Sequence, residues 1–338
     1  MPSQTVFITG ATGFIAQYII DELLKQENKV IGSVRSIAKG DNLVKLFQND
    51  KFSYVVIKDL IESKQDFDKV LKENPDIEIV LHTASPVTKT EGNVEETYLK
   101  PAINGTENVL NSILEFGTNV KRFVYTSSNS AVHSKNRESP KFVETEESWN
   151  DVTWDQAIAD PSTYGYSASK TFAEKAVWEF VKSKTPTFET SVVNPVFVFG
   201  PQLFKESIEN QLNFSNDFIY SFFRDGENYK KFQGSFIDVR DVAKAHLLAF
   251  QNENTINKRL ILKESTFTEQ TLLDLIHKEF PILNDKIPKG EPGSDEEILK
   301  KRVILDNSKT KEILGFKFKS LKQTIHDTVE QIIEVKGY

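Results

Sequence analysis

Thr9-Gly10-Ala11-Thr12-Gly13-Phe14-Ile15-Ala16 is the stretch that decides the fold. It follows an apolar run, Thr5–Thr9, and opens a helical pattern over Phe14–Lys25 in which Ile15, Tyr18, Ile19 and Leu23 form one stripe. Strand, glycine turn and helix in that order are the setting a dinucleotide-binding turn requires. Gly10 can take the tight turn. Gly13 lets the backbone approach a pyrophosphate over the helix N-terminus, and the small Ala16 lets the helix pack close to a sheet. The spacing is Gly-x-x-Gly-x-x-Ala, one residue looser at its start than Gly-x-Gly-x-x-Gly. Thr12, Phe14 and Ile15 complete the expected cofactor-binding turn.

Outward from this turn, short β-branched runs alternate with amphipathic stretches, which predicts an α/β fold with a doubly wound parallel sheet. Strands are expected at Thr5–Thr9, Lys29–Val34, Tyr54–Lys58, Ile77–Thr83, Arg122–Thr126 and Thr190–Val193. Helices are expected near Phe14–Lys25, Phe67–Lys72, Tyr98–Phe116 and Ser162–Lys182. Residues 134–160, polar and holding Pro140, Trp149 and Trp154, read as a long loop beside the site. Beyond Pro201 come helical stretches at 203–212 and Phe218–Phe223, a strand at Gly234–Val239 and a helix at Val242–Phe250. A further strand at Arg259–Leu262 and a helix at Glu269–Glu279 follow. The expected division is a dinucleotide-binding domain of residues 1–200, with 234–250 returning to it, and a smaller C-terminal substrate-binding lobe of 201–233 and 251–338.

At 338 residues and 38% hydrophobic, the chain can bury a substantial core. Its 25 phenylalanines suggest bulky packing and an aromatic-lined cleft. Net charge is −7, with no basic block, which argues against nucleic acid as a partner. The absence of cysteine removes disulfides, thiol nucleophiles and thiolate metal sites. His82, His133, His246, His277 and His326 form no His-Glu-x-x-His, so no metal is expected. Met1–Thr5 has no charged and apolar signal-peptide regions, and no run approaches the ~20 apolar residues that span a bilayer. The expected setting is the cytosol, with no membrane contact.

The end of the second strand bears on the nucleotide. An acid there binds a ribose 2′-hydroxyl and repels a 2′-phosphate. This chain reads Gly32-Ser33-Val34-Arg35-Ser36, with Lys39 one turn on. A guanidinium fork suits a phosphate, so NADP(H) is favoured.

A second motif is Tyr166-Ser167-Ala168-Ser169-Lys170. On a helix, residues four apart share a face, about 5–6 Å between Cβ atoms. An ammonium held there is expected to draw the phenol pKa down from about 10, making a proton donor for a carbonyl oxygen.

These residues, with Leu81-His82-Thr83-Ala84-Ser85-Pro86, Thr126-Ser127-Ser128, Asn194-Pro195-Val196-Phe197-Val198-Phe199-Gly200-Pro201, Asp238-Val239-Arg240-Asp241-Val242-Ala243 and Leu314-Gly315-Phe316, resemble the extended short-chain dehydrogenase/reductase superfamily. The chain is most similar to the dihydroflavonol-reductase-like branch and, within it, to the yeast NADPH-dependent carbonyl reductases. The resemblance implies a Rossmann-type fold and NADPH/NADP+ as cofactor. It implies Ser128, Tyr166 and Lys170 as the catalytic set, with Lys170 also on the ribose hydroxyls and Asn104 supporting the site. It places Asp59 and Leu60 near the adenine, Thr83 and Ala84 beneath the cofactor, Pro195 and Val198 at the nicotinamide, and Ser215 near the pyrophosphate. Val87, Asn129, His133 and Phe197 are the expected pocket residues.

The implied activity is NADPH-dependent reduction of aldehydes and ketones: 2-oxoaldehydes, branched aldehydes, diketones and aryl ketones. Phe197, Val87 and the lobe after Pro201 suggest an apolar cleft that disfavours anionic substrates. A nucleotide-sugar epimerase or dehydratase is the alternative enzyme on this scaffold; its bound NAD would prefer an acid where Arg35 stands. A non-catalytic NADP(H) sensor is a third reading. A monomer or weak dimer is expected.

Overall fold

The computed structural model describes residues 3–85, 93–206, 208, 212–229 and 231–338. Val87 lies outside the described residues, as do positions 207 and 209–211 of the helical stretch expected at 203–212. The chain divides into two compact units. The first comprises Met1–Asn136, Thr145–Asn194 and Ala243–Ile261; the second comprises Arg137–Glu144, Pro195–Val242 and Leu262–Tyr338.

The first unit is built on a seven-stranded sheet. Its strands are β1 (Thr5–Thr9), β2 (Lys29–Val34), β3 (Phe52–Val56), β4 (Ile77–His82), β5 (Arg122–Thr126), β7 (Glu189–Pro195) and β10 (Arg259–Leu262). The order is β10-β7-β5-β4-β1-β2-β3. β1 runs parallel to β2 and β4, and the β2–β3, β4–β5 and β5–β7 pairs are parallel too. Every residue of β1 is buried, as a central strand covered on both faces requires. The order reverses between β1 and β4, where open α/β sheets leave a ligand crevice at their carboxyl ends.

Helices α1 (Phe14–Lys25), α2 (Ile37–Phe47), α3 (Lys64–Glu73), α4 (Lys100–Phe116), α5 (Trp154–Ala159) and α6 (Pro161–Lys184) belong to this unit. The α3 residues Phe67, Val70 and Leu71, at i, i+3 and i+4, join Val109, Leu110 and Ile113 of α4 and Val177 and Phe180 of α6 against Phe7, Val80, Phe123 and Val192 of the sheet. The α6 helix has a defined start: the Asp160 side chain accepts from Thr163 N at 3.1 Å, and Pro161 occupies the first helical position. Residues 134–160 are more ordered than the loop expected there. They hold a two-residue strand, β6 (Val143–Glu144), and α5, which starts in a capping box between Thr153 and Gln156.

In the second unit, β9 (Gln233–Asp238) pairs parallel with β8 (Phe197–Phe199) and antiparallel with β11 (Ser265–Thr268). β6 pairs with β12 (Ile304–Leu305). Among the described residues, the helices of this unit include α7 (Phe214–Arg224), the start of α8 (Val239–Gln251), α9 (Glu269–Glu279), α10 (Asp295–Lys300), α11 (Ser308–Leu314) and α12 (Leu321–Lys336). Residues 234–250 therefore divide: β9 joins the small sheet, while α8 from Ala243 onward lies in the first unit. Arg259–Ile261 also lies in the first unit, because β10 closes the edge of the large sheet beside β7.

The second unit explains much of the phenylalanine content. Phe199, Phe222, Phe236 and Phe267 are fully buried with Leu272, Ile276, Ile325 and Val329. Phe199 and Phe267 meet edge-on at 5.1 Å, a favourable ring geometry. These rings form the bulky packing expected from composition. Among the described residues, no helix is long and apolar enough to cross a membrane.

Candidate active site

The carboxyl ends of β1 and β4 are stitched together. Gly10 leaves β1 at φ +71°, and a Cβ there would sit 3.0 Å from the Ala84 Cα, so glycine is required on both counts. Its N–H donates to Ser33 Oγ at 3.0 Å. Thr83 Oγ1 donates to the Thr9 carbonyl at 2.5 Å, and Ala84 N donates to Thr9 Oγ1 at 3.1 Å. Gly13 caps α1 at an ordinary φ of −72°; what it contributes is an exposed, side-chain-free helix start. Thr12 is exposed beside it, with Phe14 and Ile15 half-buried on the first turn of α1. An exposed helix N-terminus beneath a glycine turn fits a dinucleotide pyrophosphate.

Thr9 Oγ1 lies 2.7 Å from His82 Nδ1. Burial, with the Lys170 charge, lowers the His82 pKa to about 3. The ring is neutral and stacks with Phe123 and Tyr125. Its part in joining β4 to the glycine turn is not legible in the sequence.

Arg35 follows β2 directly and is exposed, as is Lys39 on the first turn of α2. Neither side chain has a hydrogen-bond or ion-pair partner among the described residues, so both cations are available to a phosphate. Asp59 Oδ1 is occupied by its own turn, accepting from Ile61 N at 2.6 Å and Glu62 N at 3.1 Å. Leu60 packs against α4, where a Cβ on Gly105 would meet it at 3.1 Å.

Helix α6 presents Tyr166 and Lys170 at i and i+4, with the Lys170 Nζ 5.9 Å from the phenol ring centre. Ser128 follows β5, caps a short 3₁₀ turn by accepting from Ser130 N at 3.1 Å, and is 8% exposed. Its hydroxyl meets the Tyr166 phenol. The structure thus brings Ser128, Tyr166 and Lys170 together. The electrostatics differ from the sequence expectation. Burial pushes the Tyr166 phenol above its ordinary value, the Ser128 hydrogen bond opposes this, and the Tyr98 phenol adds to it. Burial lowers Lys170 to about 8, opposed by Glu174 one turn further on. Desolvation of both groups outweighs the pairwise attraction that spacing alone suggests. A phenol held protonated beside a second hydroxyl and an ammonium can deliver a proton to a carbonyl oxygen.

Tyr166 is 42% exposed and lines a cleft of about 190 Å3. Its other walls include Ser130, His133, Lys135, Asn150 and Gln156. His133 is therefore placed beside Tyr166. Asn129 begins the 3₁₀ turn after Ser128, and its buried Oδ1 has no hydrogen-bond partner among the described residues. Asn104 is exposed on α4 and makes no hydrogen bond to Ser128, Tyr166 or Lys170, so the structure does not join it to them.

In the second unit, Ser215 Oγ donates to the Val198 carbonyl and accepts from Asn213 Nδ2 at 2.7 Å. Phe197 is half-buried against Phe199, Phe218, Phe232 and Phe267. Pro195 ends β7.

A doubly wound sheet with this glycine turn and a joined serine, tyrosine and lysine defines the extended short-chain dehydrogenase/reductases as the class. Within it, the chain belongs to the 3-beta hydroxysteroid dehydrogenase/isomerase family, which it matches over residues 7–268. It is 46% identical over 342 residues to the NADPH-dependent methylglyoxal reductase of Saccharomyces cerevisiae, covering 98% of this chain and 99% of that one. A putative NADPH-dependent methylglyoxal reductase of Candida albicans is 44% identical over 339 residues, with 98% and 99% covered. The crystal structure of Gre2 from Candida albicans in complex with NADPH matches with a TM-score of 0.94 at 44% identity, covering 98% of this chain and 99% of that one.

Proposed function

We propose that this chain is an NADPH-dependent carbonyl reductase acting on small, uncharged aldehydes and ketones, foremost 2-oxoaldehydes, with branched aldehydes, diketones and aryl ketones as further substrates. The observation that carries the reading is the convergence of Ser128, Tyr166 and Lys170 beside a cleft that Tyr166 lines. The full-length relatives are named for NADPH and methylglyoxal, a 2-oxoaldehyde, which supports the substrate class.

In this reading, Arg35 and Lys39 hold the 2′-phosphate, and the turn from Gly10 to Ile15 holds the pyrophosphate. Asp59 and Leu60 border the adenine, Thr83 and Ala84 underlie the cofactor, and Lys170 holds the ribose hydroxyls. Pro195 and Val198 border the nicotinamide. Bound there, NADPH supplies the hydride that reduces the carbonyl carbon. Ser128 and Tyr166 donate hydrogen bonds to the carbonyl oxygen, and Tyr166 delivers its proton as negative charge develops there. The raised phenol pKa keeps that proton in place across the neutral range. Lys170, charged below about pH 8, stabilises the phenolate left behind. The first unit binds cofactor, and the second contributes to the substrate-binding lobe. The enzyme is taken to be a cytoplasmic monomer or weak dimer.

The test is NADPH oxidation followed against a panel of 2-oxoaldehydes, branched aldehydes, diketones, aryl ketones and 2-oxo acids. Turnover of the neutral carbonyls ahead of the acids supports the reading. No turnover of any carbonyl, or retention of tightly bound NAD with turnover of sugar nucleotides, refutes it.

A further inference from the structure

One turn beyond Lys170 on α6 stands Glu174, a completely buried carboxylate that the mechanism above does not use. Its Oε2 accepts from Ser127 Oγ at 2.5 Å and from Asn194 Nδ2 at 2.7 Å. Its Oε1 accepts from Arg259 Nε at 2.5 Å and from Trp178 Nε1 at 3.3 Å. Four donors come from the end of β5, from β7, from β10 and from α6 itself. They fill the acceptor capacity of a carboxylate. Asn194 Nδ2 also reaches the Ser128 carbonyl at 3.2 Å. Arg259 reaches the Ala131 carbonyl at 3.4 Å and the Glu146 carbonyl at 3.0 Å, and stacks 4.0 Å over Trp149. The Glu174–Arg259 pair thus grips both ends of the Ser127–Ala131 segment, which carries Ser128.

Buried ion pairs contribute little stability compared with apolar side chains of the same volume. A fully satisfied pair beneath a reacting set is therefore better explained by what it orients and how it sets local charge. Resting on the reductase reading, we propose that Glu174 is a positioning residue: its carboxylate locks the Ser128 turn onto α6 and, with Arg259, sets the electrostatic balance that Lys170 and Tyr166 experience. The groups involved on α6 are Tyr166, Lys170 and Glu174. Facing them are Tyr98 from the turn before α4, its phenol raised by burial, His82 from β4, neutral at working pH, Tyr125 from β5, protonated, and Arg259 from β10.

The signs are opposite for the two partners. Removing the carboxylate charge favours neutral Lys170 and ionised Tyr166. Both effects move the alkaline fall of activity to lower pH. Removing the guanidinium charge does the reverse. The experiment measures kcat, kcat/KM and their pH profiles for the wild-type enzyme, Glu174→Gln and Arg259→Gln, with circular dichroism to establish folding. Glu174→Gln is expected to lower kcat about tenfold or more and to shift the alkaline limb down by about half a pH unit or more. Arg259→Gln is expected to shift it up. A purely structural role lowers activity in both variants and leaves both limbs at the wild-type position; that result overturns the proposal. If Glu174→Gln does not fold, the direction of the Arg259→Gln shift decides alone, with an unmoved or downward limb overturning it. Wild-type activity with unmoved limbs refutes only this role, whereas an inactive wild-type enzyme refutes the reductase reading together with it.

Discussion

Replacing Arg35 by aspartate tests the cofactor reading where the structure makes it sharpest. Arg35 is exposed and has no competing partner among the described residues, so no internal ion pair must break before a phosphate binds. A hydrogen bond to a charged group contributes about 1.5–3 kcal/mol. Solvent screening at an exposed site places Arg35 toward the lower end for each bond, and a guanidinium can make one or two. The expected loss is about 1.5–3 kcal/mol, which is roughly 10–100-fold in NADPH affinity. The new carboxylate adds repulsion within a Debye length of about 8 Å at physiological salt. It can also accept from a ribose 2′-hydroxyl, which improves NADH. Lys39 remains, so NADPH binding weakens without vanishing. The ratio of kcat/KM for NADPH to that for NADH is therefore expected to fall by about 100-fold. Steady-state kinetics with both nucleotides, at two ionic strengths, measures it. The NADPH dependence of the wild-type enzyme should weaken at high salt, and that of the variant should respond less. A ratio within about threefold of wild type would place the phosphate elsewhere and refute the argument.

Tyr166→Phe removes only a hydroxyl, so it should lower kcat by about 10²–10⁴-fold while NADPH still binds in a fluorescence titration; near-normal turnover would end the mechanism. Gly10→Ala should destabilise the chain by about 1–3 kcal/mol, because φ +71° and the approach to Ala84 both oppose a Cβ; an unchanged denaturation midpoint would contradict this. His82 is depressed to about 3 in the folded chain, against about 6.5 unfolded, so the unfolded chain takes up the proton first. Its contribution is complete above pH ~6.5 and declines on acidification, by about 2 kcal/mol at pH ~5. The wild-type-minus-His82→Asn stability difference, from urea unfolding at several pH values, should fall over that window; parallel curves would refute it.

Much of the large sheet is legible because its central strands are short, apolar and bounded by turns. Thr5–Thr9, Lys29–Val34, Arg122–Thr126 and Arg259–Leu262 form with the bounds their patterns suggest. Helix α2 was less legible because Gly40 interrupts it. The glycine is needed for a tertiary reason, since a Cβ there would sit 2.3 Å from the Tyr54 ring. Ser36 caps the helix from within what reads as a polar loop. The Tyr166–Lys170 spacing correctly places both groups on one face, but the direction of the phenol shift depends on burial, which a spacing cannot show. A count of phenylalanines does not distinguish a core from a wall, and many of those rings pack in the second unit.

Helix α6 shows why the functional surface blurs the pattern that identifies the fold. Ala168, Ala173, Val177 and Phe180 are buried, as expected of a helix on a sheet, but so are Ser169, Lys170, Thr171 and Glu174. Tyr166, Lys170, Glu174 and Trp178 recur every four residues; Tyr166 stays exposed, but Lys170 and Glu174 in the middle of this row are buried where an amphipathic helix would be apolar. The row is tolerated because its buried carboxylate is satisfied from β5, β7 and β10, the strands whose ends help build the site. A local departure from apolar periodicity is compensated by contacts distant in sequence. Each residue of that row is visible in the chain, but its partners Ser127, Asn194 and Arg259 come together only when the sheet forms. The site is therefore a consequence of strand order: β7 lies between β5 and β10, which brings those three donors around one carboxylate.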